Sequence, residues 1–176
     1  MSYRAVKRAR RAGRKEPRHL TSRDLRHPVW CRPTTSDFHV FDQVFLEREF
    51  SALDDLTDVR WIIDGGANVG YASAWFLSRF PLARVAAVEP DPDGIADVME
   101  VLGTDELSLV KLDIEGAEVP VLRGDVTSWL PRTRAVAGEL HTDTHFGDGP
   151  AAFAAAIRPP AFRVTTSGEH TIARRA

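Results

Sequence analysis

An α/β domain built on a mostly parallel sheet with helices on both faces is the fold class this sequence predicts, from three observations. Short apolar runs, WIID (61–64), RVAAVEP (84–90), LSLVKLD (107–113) and RAVAGELH (134–141), alternate with stretches of helical spacing, YASAWFLSRF, GIADVMEVL and AEVPVLRGDVTSWL. The runs are apolar almost without interruption, as strands are when both faces of a parallel sheet are covered. Directly behind the first run lies GGANVG (65–70), a strand, tight turn and helix start of the kind that holds nucleotide-like ligands at the carboxyl edge of such sheets.

The elements follow in chain order. Residues 1–27 hold ten Lys or Arg against Glu16 and Asp24, so the remaining 149 residues carry 13 basic and 23 acidic side chains, a net of −10. The segment 1–27 reads as a basic, disordered arm, and 28–176 as the α/β domain. Pro28 and Pro33 bracket a short extended piece around Val29, Trp30 and Cys31. Ser36 and Asp37 suit a helix start, and FHVFDQVFLEREF (38–50) has near-helical apolar spacing. Pro120 fits the helix after the third run only in its first turn. PAAFAAAIR is a further helix, and FRVTTSGEHTIA ends the chain as a hairpin about Ser167 and Gly168. Phe38, Phe41, Phe45, Trp75, Phe76 and Phe80 are expected in the core.

The 176 residues suit one domain with a substantial core. No apolar run reaches the length of a membrane span, and the cytoplasm is the default compartment. Cys31 is the only cysteine, which excludes a disulfide framework and a cysteine metal cluster. The acidic body argues against a dedicated nucleic-acid protein despite the arm. Without a G-x-S-x-G elbow or a Ser-His-Asp arrangement, hydrolysis is disfavoured.

On the spacing of a dinucleotide fingerprint the loop offers Gly65, Ala67 and Gly70. The methyl group of Ala67 stands where a diphosphate needs bare backbone, and no lysine follows to make a phosphate loop. A dinucleotide-dependent oxidoreductase is thereby disfavoured. Glu89 ends the next strand, 24 residues after Gly65, where a carboxylate accepts the hydroxyl hydrogens of a ribose. A nucleoside without a diphosphate points to S-adenosyl-L-methionine.

A second cluster, Lys111, Asp113, Glu115 and Glu118, surrounds the exit of the third strand. Glu115 and Glu118 also suit the positive end of the following helix. Asp113, at the strand tip, is placed to orient a ligand ammonium group or to take a proton from an acceptor hydroxyl. His141 leaves the fourth strand at the same edge and is a candidate general base. In HTDTHFGD (141–148), His141, Asp143 and His145 would share a face on a strand and form a metal set; a polar loop is the stronger expectation, and no metal is assigned.

DGGANVG, VEPDP and KLDIEGAEVPVLRG together resemble the FkbM family of S-adenosylmethionine-dependent methyltransferases, as do RPTTSDF (32–38) with VFDQVF and GELH (138–141). The likeness spans residues 29 to about 145. It implies a Rossmann-like class I methyltransferase fold and O-methylation of a hydroxyl on a small molecule, sugar or other natural product. By position it implies that Asp64, Gly65, Gly66, Asn68, Gly70 and Glu89 bind the cofactor, with Asp113, Glu115 and His141 beside the reacting centre.

Between Pro90 and Lys111 only twenty residues remain, enough for one crossover with its helix and not two. Relative to the resemblance, about one strand–helix unit is missing, and the sheet is expected in the order second, first, third, fourth strand with the adenine side open. Two functions stay in view: an O-methyltransferase, and a non-catalytic nucleoside- or partner-binding module of the same fold. A homo-oligomer in which two chains complete each other's pockets is compatible with either.

Overall fold

The structure, a computed structural model, describes residues 7–8, 11–88 and 95–176. Glu89 and the residues 90–92 that complete VEPDP lie outside the described residues. No described helix is long and apolar enough to cross a membrane.

Two short strands, β1 (Arg18–Leu20) and β2 (Val29–Cys31), pair antiparallel. Leu20 and Cys31 are fully buried, so the folded body begins before residue 28 and takes in part of the expected arm. A strand with one inward side chain is too short for a period-two pattern to register in the sequence.

The single helix expected over FHVFDQVFLEREF is divided. It forms α1 (Asp37–Phe41), a π-helical turn (Asp42–Glu47) and a 3-10 turn (Glu49–Leu53), joined through Arg48 in the left-handed region at φ 56°. At about 100° per residue, Phe50 on one straight helix would point roughly opposite to Phe41. The break lets Phe41, Val44, Phe45 and Phe50 all reach the core. It also swings Glu49 towards the carboxyl edge of the sheet.

The main sheet contains β3 (Trp61–Gly65), β4 (Arg84–Val88), β5 (Leu109–Leu112), β6 (Ala135–Glu139), β7 (Phe162–Ser167) and β8 (His170–Arg175), in the order β4-β3-β5-β6-β8-β7. The first four are parallel, in the expected order; the expected terminal hairpin β7–β8 adds antiparallel through β8 to β6. Helices α2 (Tyr71–Arg79), α3 (Ile95–Leu102), α4 (Glu118–Arg123) and α5 (Gly149–Ala156) connect the strands. Pro120 falls in the first turn of α4, where its missing N–H costs no helical hydrogen bond. The fold is Rossmann-like.

Side-chain alternation divides the core between the two sheet faces. Ile62, Leu109, Ala135, Ala137 and Ile172 pack against α2 and the divided N-terminal helix. Ile63, Val110, Leu112, Val136 and Ala173 pack against α3, α4 and α5. All six aromatics expected in the core are buried, and Phe50, Trp75 and Phe76 form one aromatic group with ring centroids 5.1–5.6 Å apart. Strands β3, β5 and β6 are buried, whereas β4, one of the two edge strands among the described residues, is half-exposed along its length. Among the described residues α3 alone bridges β4 and β5.

Candidate active site

The face that carries Ile62, Leu109, Ala137 and Ile172 continues, at the carboxyl edge, into polar residues. Two residues further along each strand, or before it on the antiparallel β8, the same face bears Asp64, Lys111 then Asp113, Glu139 and His170. An apolar wall thus ends in a row of charges. The row divides into two halves.

The first half is the glycine loop between β3 and α2. Gly66 has φ +72°, and a Cβ there would fall 1.6 Å from the Asp113 carbonyl oxygen. No other residue fits so close to the next strand. The amides of Gly66 and Ala67 donate to the Val88 carbonyl at 2.9 and 3.2 Å, tying the loop to the end of β4. Gly70, at φ +79°, caps α2 with open space where a side chain would be. Beneath the loop lies the buried Lys111 ammonium. It donates to the carbonyls of Gly65 and Gly66 at 3.1 and 3.0 Å and stands 3.3 Å from Asp64 and 3.4 Å from Asp113. Ser73 on α2 donates to the other Asp64 oxygen at 2.5 Å.

The second half gathers Asp113, Glu139, His141, Glu115, Glu118 and Glu49. The parallel register pairs Leu112 with Gly138, so Asp113 and Glu139 are neighbours at the tips of β5 and β6. His141 follows, its Nδ1 3.4 Å from Oε1 of the fully buried Glu118 and its Nε2 3.7 Å from Glu139 and 3.6 Å from Glu115. Glu118 accepts the amides of Ile114 and Gly116 on the same oxygen, which fixes the turn carrying Glu115 at φ 55°. Burial, reinforced by the charge of Asp113, raises the carboxyl of Glu139 and pushes that of Glu49 up to about 7. Behind them His170 is buried edge-on to Phe50 at 4.9 Å, and burial lowers it to about 4.

The structure brings Gly65, Gly66, Asn68 and Gly70 together at the end of β3, and Asp113, Glu115 and His141 together at the ends of β5 and β6. Asp64 requires a correction. Its side chain is fully enclosed by Ser73 and Lys111, so it holds the loop from beneath and is closed off from a ligand. Asp143 and His145 do not join His141 on a strand face: the segment is a loop, Asp143 sits at φ 56°, and His145 is exposed against the Phe146 ring. Sequence reasoning missed Glu49, Glu139 and His170. Glu139 had a readable signal, because it continues the spacing of Ala135 and Ala137 two residues before His141.

No protein-family profile and no curated protein matches the chain. Among solved structures, the mitomycin 7-O-methyltransferase MmcR is 18% identical over 74% of this chain and 54% of its own, with a TM-score of 0.44. A mutant of MtNAS is 19% identical over 82% of this chain and 64% of its own, with a TM-score of 0.43. The same protein with S-adenosylmethionine is 18% identical over 81% of this chain, with a TM-score of 0.39. The chain thus spans 54% of the length of MmcR, and the fold stands on the sheet order described above.

Proposed function

We propose that this chain is an S-adenosyl-L-methionine-dependent O-methyltransferase of the kind its FkbM-like motifs imply, acting on a hydroxyl of a small molecule such as a sugar or other natural product. The observation that carries the reading is the state of the glycine loop. Its Gly66 and Ala67 amides are already committed to Val88, and the neighbouring strand tips carry carboxylates. A diphosphate would find few free donors and a repulsive wall, whereas a nucleoside with a cationic or zwitterionic tail suits both.

The residues fit such a ligand in kind. Gly65, Gly66, Asn68 and Gly70 supply the close backbone approach, and Glu89 supplies the ribose acceptor in the reading from the sequence. Asp113, set at the junction of the two halves and 32% exposed, is placed to orient an ammonium group. When bound, the cofactor supplies an electrophilic methyl group on a sulfonium. The protein's share is orientation: loop and strand tips fix one reactant, and Glu49, Glu139 and His141 face the other. His141, oriented by Glu118, is the group that accepts the acceptor hydroxyl proton.

Calorimetric titration with S-adenosylmethionine and S-adenosylhomocysteine tests this. Micromolar binding that is lost in Gly66→Val and Glu89→Ala is expected; a folded wild-type chain that binds neither overturns it. One observation favours a second reading, a non-catalytic nucleoside- or partner-binding module: β4 is an exposed edge, so the nucleoside side is shielded on fewer sides. Nucleoside binding with no methyl transfer to any hydroxyl acceptor would select that alternative.

A further inference from the structure

The acidic half of the edge holds more than an acceptor pocket needs. Asp113, Glu139 and His141 each offer one donor atom, and the three atoms lie within 4.8 Å of one another. Donors around one octahedral ion at about 2.1 Å stand roughly 3.0 Å apart when adjacent and roughly 4.2 Å when opposite, so the three side chains must draw in by up to about 2 Å to close the set. All three are partly exposed, which gives an ion a way in. One oxygen of Asp113 lies 3.4 Å from Lys111, leaving its other oxygen for the set.

Two buried groups beside this set have unsatisfied polar atoms. His170 is 2% exposed, and neither ring nitrogen has a hydrogen-bond partner among the described residues. It stands directly opposite Glu139 in the β6–β8 register, so the two side chains leave the same face side by side. Glu118 is fully buried, and its Oε2 has no hydrogen-bond partner among the described residues. Its Oε1 lies 3.4 Å from His141 Nδ1, which has no hydrogen-bond partner among the described residues, and Nε2 lies 3.6 Å from Glu115 and 3.7 Å from Glu139. A buried carboxylate placed behind a histidine is how proteins orient an imidazole towards a metal. Unpaired buried polar atoms are costly, and an ion with its bound water beside Glu139 supplies a partner for His170.

We infer that Asp113, Glu139 and His141 hold a divalent cation at the tips of β5 and β6, with Glu118 orienting His141 and His170 lining the site. Two carboxylates and one imidazole suit a first-row ion such as Mn²⁺. With the cation bound, His141 serves as its ligand in place of acting as the base, and the ion eases proton loss from the acceptor hydroxyl instead. That role rests on the methyl-transfer reading; the binding itself does not.

The test is titration of the full chain, without nucleoside, with Mn²⁺, following free Mn²⁺ by electron paramagnetic resonance. One ion per chain is expected. Glu139→Gln and His141→Ala should each weaken binding at least about tenfold, Glu118→Gln should weaken it by less, and His145→Ala, on the exposed loop, should leave it unchanged. Circular dichroism of each variant separates loss of the site from loss of the fold. Binding only at millimolar Mn²⁺, or binding that Glu139→Gln and His141→Ala leave intact in folded protein, overturns the inference. Nucleoside calorimetry on the same samples keeps the two proposals apart, because a chain that binds S-adenosylhomocysteine but not Mn²⁺ refutes only the cation site.

Discussion

The two halves of the carboxyl edge are built from the same strands and solve opposite problems. In the glycine-loop half charge meets opposite charge: Lys111 stands against four oxygens, Asp64 is enclosed between Lys111 and Ser73 with one oxygen ion-paired though not hydrogen-bonded among the described residues, and the loop amides meet Val88. In the half around Glu139 it does not. Carboxylates crowd, His170 and Glu118 keep unsatisfied atoms, and Glu49 is pushed up to about 7 by burial and the charge of Asp113. The matched half is a rigid platform whose worth lies in its shape. The mismatched half is maintained against stability, as sites that bind charge are.

If the contrast is right, substitutions in the two halves will move stability in opposite directions. Gly66→Val should have the largest effect, because its Cβ would overlap the Asp113 carbonyl at 1.6 Å. A loss of about 4 kcal/mol or more is expected in urea unfolding, together with loss of nucleoside binding. A Gly66→Val chain of wild-type stability would dissolve the idea of a rigid platform. Lys111→Met strands two carboxylates and two carbonyls and should cost roughly 3–5 kcal/mol by the same measurement.

Glu49 sharpens the contrast through pH. Its carboxyl is held at about 7 in the folded chain, against roughly 4.3 unfolded. Between those values the folded chain binds more protons, so this group's contribution to stability falls as pH rises through that window, by about 2 kcal/mol. Urea midpoints of Glu49→Gln should show that much less decline between pH 4.5 and 7. A Glu49→Gln profile parallel to wild type would remove Glu49 from the charged cluster. The smallest effect is expected for Glu139→Gln. Relieving a carboxyl raised by burial and by Asp113 should stabilise the chain by about 1 kcal/mol or less at neutral pH, read as a rise in melting temperature. A clear fall would mean that Glu139 is matched after all.

The sequence made the first half legible and much of the second invisible, for physical reasons. Glycine turns and strand-tip carboxylates announce themselves locally, so the turn after the first strand and Asp113 at a strand tip are readable from neighbouring residues, while Gly66 enters as a site residue only through the family resemblance. The strand order was legible because twenty residues between Pro90 and Lys111 admit one crossover. Glu49 was hidden because it stands in a segment whose spacing reads as one continuous helix; only the turn at Arg48 directs it over the sheet. His170 was hidden because its neighbour Glu139 is 31 residues away in the chain and is set by the antiparallel register of β8 on β6. Asp64 shows the converse error: a motif residue assigned to a ligand belongs instead to the foundation beneath it.

Lys111 also bears on the order of assembly. Its ammonium is solvated in the unfolded chain, and its four oxygen partners come from the end of β3 and Gly66, 45 or more residues away, and from the tip of its own strand. Pairing β3 with β5 while the loop is still open would leave that charge in an apolar wall without partners. The pairing and the loop therefore close in one step. The amide protons of β3, β5 and the Gly66–Ala67 turn should exchange with solvent as a single unit, at the free energy of opening the whole sheet.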